Sequence, residues 1–257
     1  MKPNIVVDVG NSRIKWGLCT DDLVIKYASL PPEAIDNWEE QIRHWHIGNV
    51  EPVAWAVAGV NSEGCDKLLK WVKQRGDRVT VVHDRGKLPI GIEVPEPDRV
   101  GIDRLLNVVA AKSHVQREIS IFIIDAGSAV TVDWVDRTGA FRGGTIFPGL
   151  RTMAQSLHDY TEALPLVKVP TDSEVSVPSL PGICTIGAIE AGIFWAVAGG
   201  IKAILRQLGT RTGALRRREV FLTGGDAHYL APVMDAEVRV WREMTLEGIR
   251  LAAEVLS

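Results

Sequence analysis

Cysteine is scarce in this sequence. Only Cys19, Cys65 and Cys184 occur in 257 residues, far apart and with no Cys-x-x-Cys or Cys/His metal spacing. A disulfide framework and a structural zinc site are thereby excluded, and a reducing cytosol fits. An excess of one charge is also missing: the formal net charge is −3 and the pI about 6.1, which gives no electrostatic footprint for nucleic acid. The basic cluster Arg211, Arg216, Arg217 and Arg218 reads as a solvated loop before a strand at Glu219–Leu222. Met1-Lys2-Pro3 runs straight into a strand, Asn4–Val9, leaving no room for a signal peptide. No apolar run has membrane length. The longest, Ile186–Leu205, is broken by Glu190 and Lys202, and its uninterrupted core, Ala191–Ile201, falls short of the ~18–20 residues a bilayer needs. A buried helix of a cytoplasmic protein, without a membrane partner, is expected. The common nucleotide signatures are absent too: Gly86-Lys87 lacks the Walker spacing, and no Gly-x-Gly-x-x-Gly opens a helix.

What is present is a repeat. Val6-Val7-Asp8-Val9-Gly10-Asn11-Ser12 and Ile123-Ile124-Asp125-Ala126-Gly127-Ser128 share one plan: a buried strand, a carboxylate, a small or branched residue, glycine and a hydroxyl. Glycine lets backbone N–H groups turn tightly against a ligand. The hydroxyl can bond a phosphate oxygen, and the carboxylate can hold a cation that offsets phosphate charge. A chain that is 46% apolar can bury a large core, as one α/β domain or as two of about 100–150 residues. The repeat points to two related halves across a nucleotide, residues 1–117 and 118–257.

The first half reads as strands Ile5–Val9, Arg13–Leu18 and Leu23–Ala28, a helix Ala34–Trp45, a strand Val53–Val60, a helix Cys65–Gln74 capped by Asn61 or Ser62, and a strand Arg78–Val82. An irregular connector, Leu88–Val100, delivers Gly101-Ile102-Asp103-Arg104 to a helix Leu105–Val115. The second half repeats strands at Ile119–Ile124, Ala129–Val135 and Ala140–Thr145. A loop through Gly143–Gly149 leads to a helix through Met153 and Leu157. After a polar loop, Asp159–Pro181, a long helix opens at Thr185 and runs to Leu208. The strand Val220–Thr223 ends in Gly224-Gly225-Asp226, and Leu246–Val255 closes the chain. Several polar residues here have ordinary uses: Asp103 as a helix N-cap, Arg104 as a helix-surface charge, Lys15 as a solvent-facing strand residue, Thr185 as a helix start and Asp226 as a cap. None of the six histidines pairs with a plausible nucleophile.

The order of Asp8 to Lys15, Gly101 to Arg104, Asp125 to Ser128, Gly143 to Gly149, Thr185 and Thr223 to Asp226 resembles type III pantothenate kinase. The resemblance implies an actin-like ATPase fold, α/β, with two ribonuclease-H-like domains around a central cleft. It implies ATP-dependent phosphorylation of the primary hydroxyl of pantothenate, in a homodimer that uses magnesium and potassium or ammonium. Carried over residue by residue, Asp8, Val9, Gly10, Asn11, Ser12, Arg13, Ile14 and Lys15 form the first phosphate loop, with Asp8 near magnesium. Asp125 ligates the monovalent cation, Ser128 contacts ATP, and Gly224 and Gly225 border adenosine. Gly101, Ile102, Asp103, Arg104 and Thr185 hold pantothenate, and Asp103 is the general base. One position departs from the pattern: the tyrosine usual three residues before the proline matching Pro97 is Val94, so an aromatic contact and a hydroxyl are lost. A kinase for another small alcohol, and a non-catalytic nucleotide-binding module, are the alternatives.

Overall fold

The structure, a computed structural model, describes residues 2–31, 35–47, 52–115, 118–170, 176–215 and 217–256. Ala34, Arg216 and the 171–175 stretch of the long loop lie outside the described residues. The chain divides into two compact units, one of Met1–Gln116 with Glu243–Ser257 and one of Arg117–Arg242.

In the first unit β1 (Ile5–Val9), β2 (Ile14–Cys19) and β3 (Val24–Leu30) form an antiparallel meander. β4 (Ala54–Gly59) pairs in parallel on the other side of β1, and β5 (Arg78–Val81) in parallel with β4, giving the order β3-β2-β1-β4-β5. Every residue of β1 is buried, because a central strand is covered on both faces. Ile5, Val7 and Val9 project into a core shared with α1 (Ile35–His44) and α2 (Ser62–Gln74). Asn61 caps α2, its side chain accepting from the Gly64 N–H.

Five tryptophans meet in that core. Trp16 lies edge-on to Trp55 at 5.0 Å between ring centroids, 5.8 Å from Trp71 and 6.4 Å from both Trp38 and Trp45. Such pairs add about 0.5–1.5 kcal/mol each beyond their buried area. The indole N–H groups of Trp55 and Trp71 donate to Asp77 (3.0 Å) and Glu39 (3.1 Å), and Arg75 bridges these carboxylates while lying over the Trp71 ring.

The opposite face of this sheet carries α3 (Ile102–His114) and α7 (Met244–Val255). Gly17, register partner of Val6, leaves room for Leu246 of α7. A Cβ at Gly248 would sit 2.0 Å from the Leu106 carbonyl, so α7 and α3 meet backbone to backbone, and Thr245 donates to Asn107 beside that contact. The closing helix therefore belongs to the first unit, not to the second half where the sequence reading put it. Met244, Leu246, Ile249, Ala252 and Ala253 supply an apolar face, and amphipathicity does not say which sheet such a face will cover.

The second unit retraces the same path. β6 (Ser120–Ala126), β7 (Ala129–Val135) and β8 (Phe141–Pro148) are antiparallel; β9 (Arg218–Thr223) is parallel to β6 and β10 (Val238–Val240) parallel to β9. The order β10-β9-β6-β7-β8 matches the first sheet strand for strand. Its core helix is α5 (Thr185–Thr212), which buries Ile189, Ile193, Phe194, Val197, Ile201 and Leu205. By length and composition alone α5 could cross a membrane, with a mean hydropathy of 1.6 over 18 residues. Here its apolar face packs on Phe122, Ile124, Val132 and Leu222, with α4 (Leu150–Asp159) alongside.

The elements depart from the sequence reading in several places. α3 starts at Ile102, three residues early; β8 continues to Pro148 through the segment read as a loop; and α6 (Ala227–Leu230) and β10 are additional. The last two span four and three residues, too few for periodicity to register.

Burial pushes the Cys19 thiol up to about 12, with Glu247 adding to the effect, and the Cys65 thiol up to about 11, whereas Cys184 is exposed. In the folded protein, iodoacetamide at pH 8 should therefore modify Cys184 well before Cys19 or Cys65, as peptide mapping would report. Both folded-state values exceed the unfolded 9.0, so the unfolded chain ionises first. Stability should fall as pH rises from about 9 toward 11–12, and Cys19→Ala should flatten that slope.

Candidate active site

At the end of β1, Asp8 pairs in register with Lys15 of β2, and the lysine Nζ lies 3.9 Å from the carboxylate. Asp8 is only 8% exposed and its partner is half-buried, so Lys15 is a companion of Asp8 rather than a solvent-facing charge. Gly10 turns the chain between them by donating its N–H to the Arg13 carbonyl (3.1 Å), which leaves Asn11, Ser12 and Arg13 exposed at the tip. Ile14 is buried, and the Val9 carbonyl accepts from the N–H groups of Val60 and Asn61 at 3.1 and 3.3 Å. The loop thus stands on a hydrogen-bonded base and presents three exposed polar side chains at its tip.

Still in the first unit, Gly101 takes the N-cap position of α3, so Asp103 lies in the first turn and is not the cap. Its Oδ1 accepts from the Arg104 N–H at 2.9 Å. A Cβ at Gly101 would stand 2.4 Å from that oxygen, so the glycine is what lets the carboxylate lie there. A helix N-terminus favours negative charge by about 0.3–1 kcal/mol. Arg85 steadies the approach by donating to the Val100 carbonyl (2.7 Å). Val94 is half-buried in the connector.

In the second unit, Asp125 occupies the position on β6 that Asp8 has on β1. It pairs in register with Thr223 of β9, just before Gly224. Gly224 has φ +96°, and a Cβ there would lie 2.3 Å from the Ala126 carbonyl and 2.5 Å from the Asp125 Oδ1. Gly225 is exposed, with nothing within 4 Å of its Cβ position. Ser128 is exposed, and its carbonyl accepts from the Gly149 N–H (2.9 Å) and the Thr152 hydroxyl (2.6 Å) at the start of α4. Thr185 is the exposed first residue of α5; the cap there is Cys184.

Sequence reasoning missed one pair. Asp226, 2% exposed, makes no cap bond; its Oδ1 accepts from Arg151 Nη1 at 2.7 Å. Burial pushes its carboxyl upward and Asp125 adds to that, while Arg151 and His228 pull it down. The partners are 75 positions apart, and no local pattern links them.

The structure brings Asp8 together with Lys15 in one unit, and Asp125 with Gly224, Asp226 and Arg151 in the other. No group of three or more His, Cys, Asp or Glu placed to hold a metal occurs among the described residues. Single carboxylates suit magnesium that keeps several waters and is bound mostly by substrate phosphates. The donor set fits such an ion.

A family model described as type III pantothenate kinase matches residues 4–207. The type III pantothenate kinase of Porphyromonas gingivalis is 30% identical over 261 residues, covering 99% of both chains. That of Rhodopirellula baltica is 39% identical over 158 residues, 61% of this chain and 54% of that one. Among solved structures, the activator of 2-hydroxyisocaproyl-CoA dehydratase from Clostridium difficile, with bound ADPNP, superposes with a TM-score of 0.56 at 15% identity, covering 99% of this chain and 96% of that one. The last likeness concerns fold alone, the actin-like ATPase arrangement that the duplicated five-stranded sheets also express. Matched over most of its length, and with the aspartates and glycines of the motif at equivalent strand ends, this chain belongs to the type III pantothenate kinase family.

Proposed function

We propose that this protein transfers the γ-phosphoryl group of ATP to the primary hydroxyl of pantothenate, forming 4'-phosphopantothenate, the first step toward coenzyme A, in the cytoplasm. The observation that carries this reading is the duplicated strand end: β1 presents Asp8 with Lys15, and β6 presents Asp125 beside Gly224. Residues Asp8 to Lys15 and Ser128 hold the phosphates, and Gly224 and Gly225 border adenosine. Gly101, Ile102, Arg104, Thr185 and the Val94 position contact pantothenate. Asp103 orients the pantothenate hydroxyl toward the γ-phosphorus and accepts its proton as the new P–O bond forms. Lys15 offsets negative charge beside Asp8, in keeping with a reaction stabilised mainly by position and electrostatics. When bound, magnesium near Asp8 and potassium or ammonium at Asp125 supply positive charge to the phosphates.

The homodimer reading draws support from α5. Its outward side carries Ala188, Gly192, Ala196, Gly199 and Ala203, all exposed. Small side chains at that spacing let a second helix approach closely, and sedimentation would show whether the protein is a dimer.

Coupled ADP release with pantothenate, in potassium, ammonium or sodium chloride, tests the function. Turnover that needs pantothenate and either potassium or ammonium is the expected result. Valine at position 94 favours one second reading, a different small alcohol as acceptor, and turnover only with such an alcohol would establish it. Nucleotide binding with no turnover on any acceptor would leave a non-catalytic module.

A further inference from the structure

Arg151 has more hydrogen-bonding capacity than the structure uses. Its guanidinium offers five N–H donors, and among the described residues its side chain makes one hydrogen bond, to Asp226. The side chain is 51% exposed while that of its partner is 2% exposed. Asp226 is anchored through its own N–H to the Ala126 carbonyl (2.9 Å), and its Oδ2 is buried without a partner among the described residues. A buried carboxylate left half-satisfied costs stability, so solvation does not account for this one. Its bond fixes a guanidinium that remains open to solvent. That guanidinium starts from α4, whose first residues bond the Ser128 carbonyl, and ends at the turn after Gly224-Gly225. It therefore spans the two nucleotide-facing loops of the second unit.

We propose that Arg151 binds a phosphate oxygen of the nucleotide, and that Asp226 is the positioning residue that aims it. The proposal rests on the ATP-kinase reading and adds a residue to its phosphate site. A planar guanidinium can donate to a phosphate in pairs while one edge stays on a carboxylate, which a lysine cannot reproduce.

Calorimetric titration of wild type, Arg151→Gln and Arg151→Lys with ATP and ADP, with adenosine measured as a competitor of ATP in turnover, tests this. Arg151→Gln should weaken ATP and ADP about tenfold to a hundredfold, raise KM for ATP more than it lowers kcat, and leave adenosine unchanged. Arg151→Lys should recover part of the loss, and it serves alone if the glutamine variant does not fold. Asp226→Asn, which keeps the acceptor oxygen but loses the charge, should give an intermediate effect on ATP. ATP affinity unchanged in both Arg151 variants overturns the proposal. So does an equal loss for ATP and adenosine, which would mark a purely structural ion pair. Wild type that binds no ATP would instead refute the kinase reading itself.

Discussion

Asp103→Asn should lower kcat by about 10²–10⁴-fold, the usual scale of general acid–base help, with KM for ATP little changed. The substitution keeps shape and keeps an oxygen able to accept from the Arg104 N–H, now bonded at 2.9 Å. Gly101, not Asp103, holds the N-cap position, and the asparagine oxygen can still take the first-turn N–H, so the helix start should lose no more than the small charge contribution. The thermal midpoint should accordingly stay near that of wild type while turnover collapses. A variant as active as wild type would remove Asp103 from the chemistry; one that loses activity and stability together would make it a structural residue. Steady-state kinetics and a melting curve on the same preparation decide between these.

Gly224→Ala should be strongly destabilising, because it combines a positive φ with a tight backbone approach. At φ +96° an L side chain is strained by about 1–2 kcal/mol, and the new Cβ would press on the Ala126 carbonyl at 2.3 Å and the Asp125 Oδ1 at 2.5 Å. Overpacking of this sort costs about 1–3 kcal/mol more. A combined loss of about 2–5 kcal/mol is expected, with ATP affinity falling because Asp125 and the turn are displaced together. Gly225→Ala is the control for stability: nothing lies within 4 Å of its Cβ position, so its denaturation midpoint should barely move. Equal midpoints for the two variants would show that the tight approach at Gly224 is not a constraint.

The sequence made the strand ends readable because their signals are local. Asp8, Gly10 and Lys15 sit within one hairpin, and the Asp125 loop repeats it at the same place in the second sheet. Lys15 could not be assigned from its spacing to Arg13; antiparallel register, which sets it opposite Asp8, decides its role. What stayed hidden depends on contacts remote in sequence. α7 shows an apolar face, but its docking on α3 is settled by the absence of a side chain at Gly248. Arg151 and Asp226 each look like ordinary surface or capping residues until the fold joins them across 75 positions. The sequence sets the start of α3 at Leu105 with Asp103 as its cap, because the true cap, Gly101, has no side chain to announce it.

The tryptophan cluster gives the molecule an optical asymmetry. Trp16, Trp38, Trp45, Trp55 and Trp71 crowd one unit, whereas Trp134, Trp195 and Trp241 lie in the other. Indoles this close should couple their transitions, so near-ultraviolet circular dichroism will be dominated by the Met1–Gln116 half. With those three others changed to phenylalanine, the remaining emission would report the melting of that half alone, separating its loss from that of its twin.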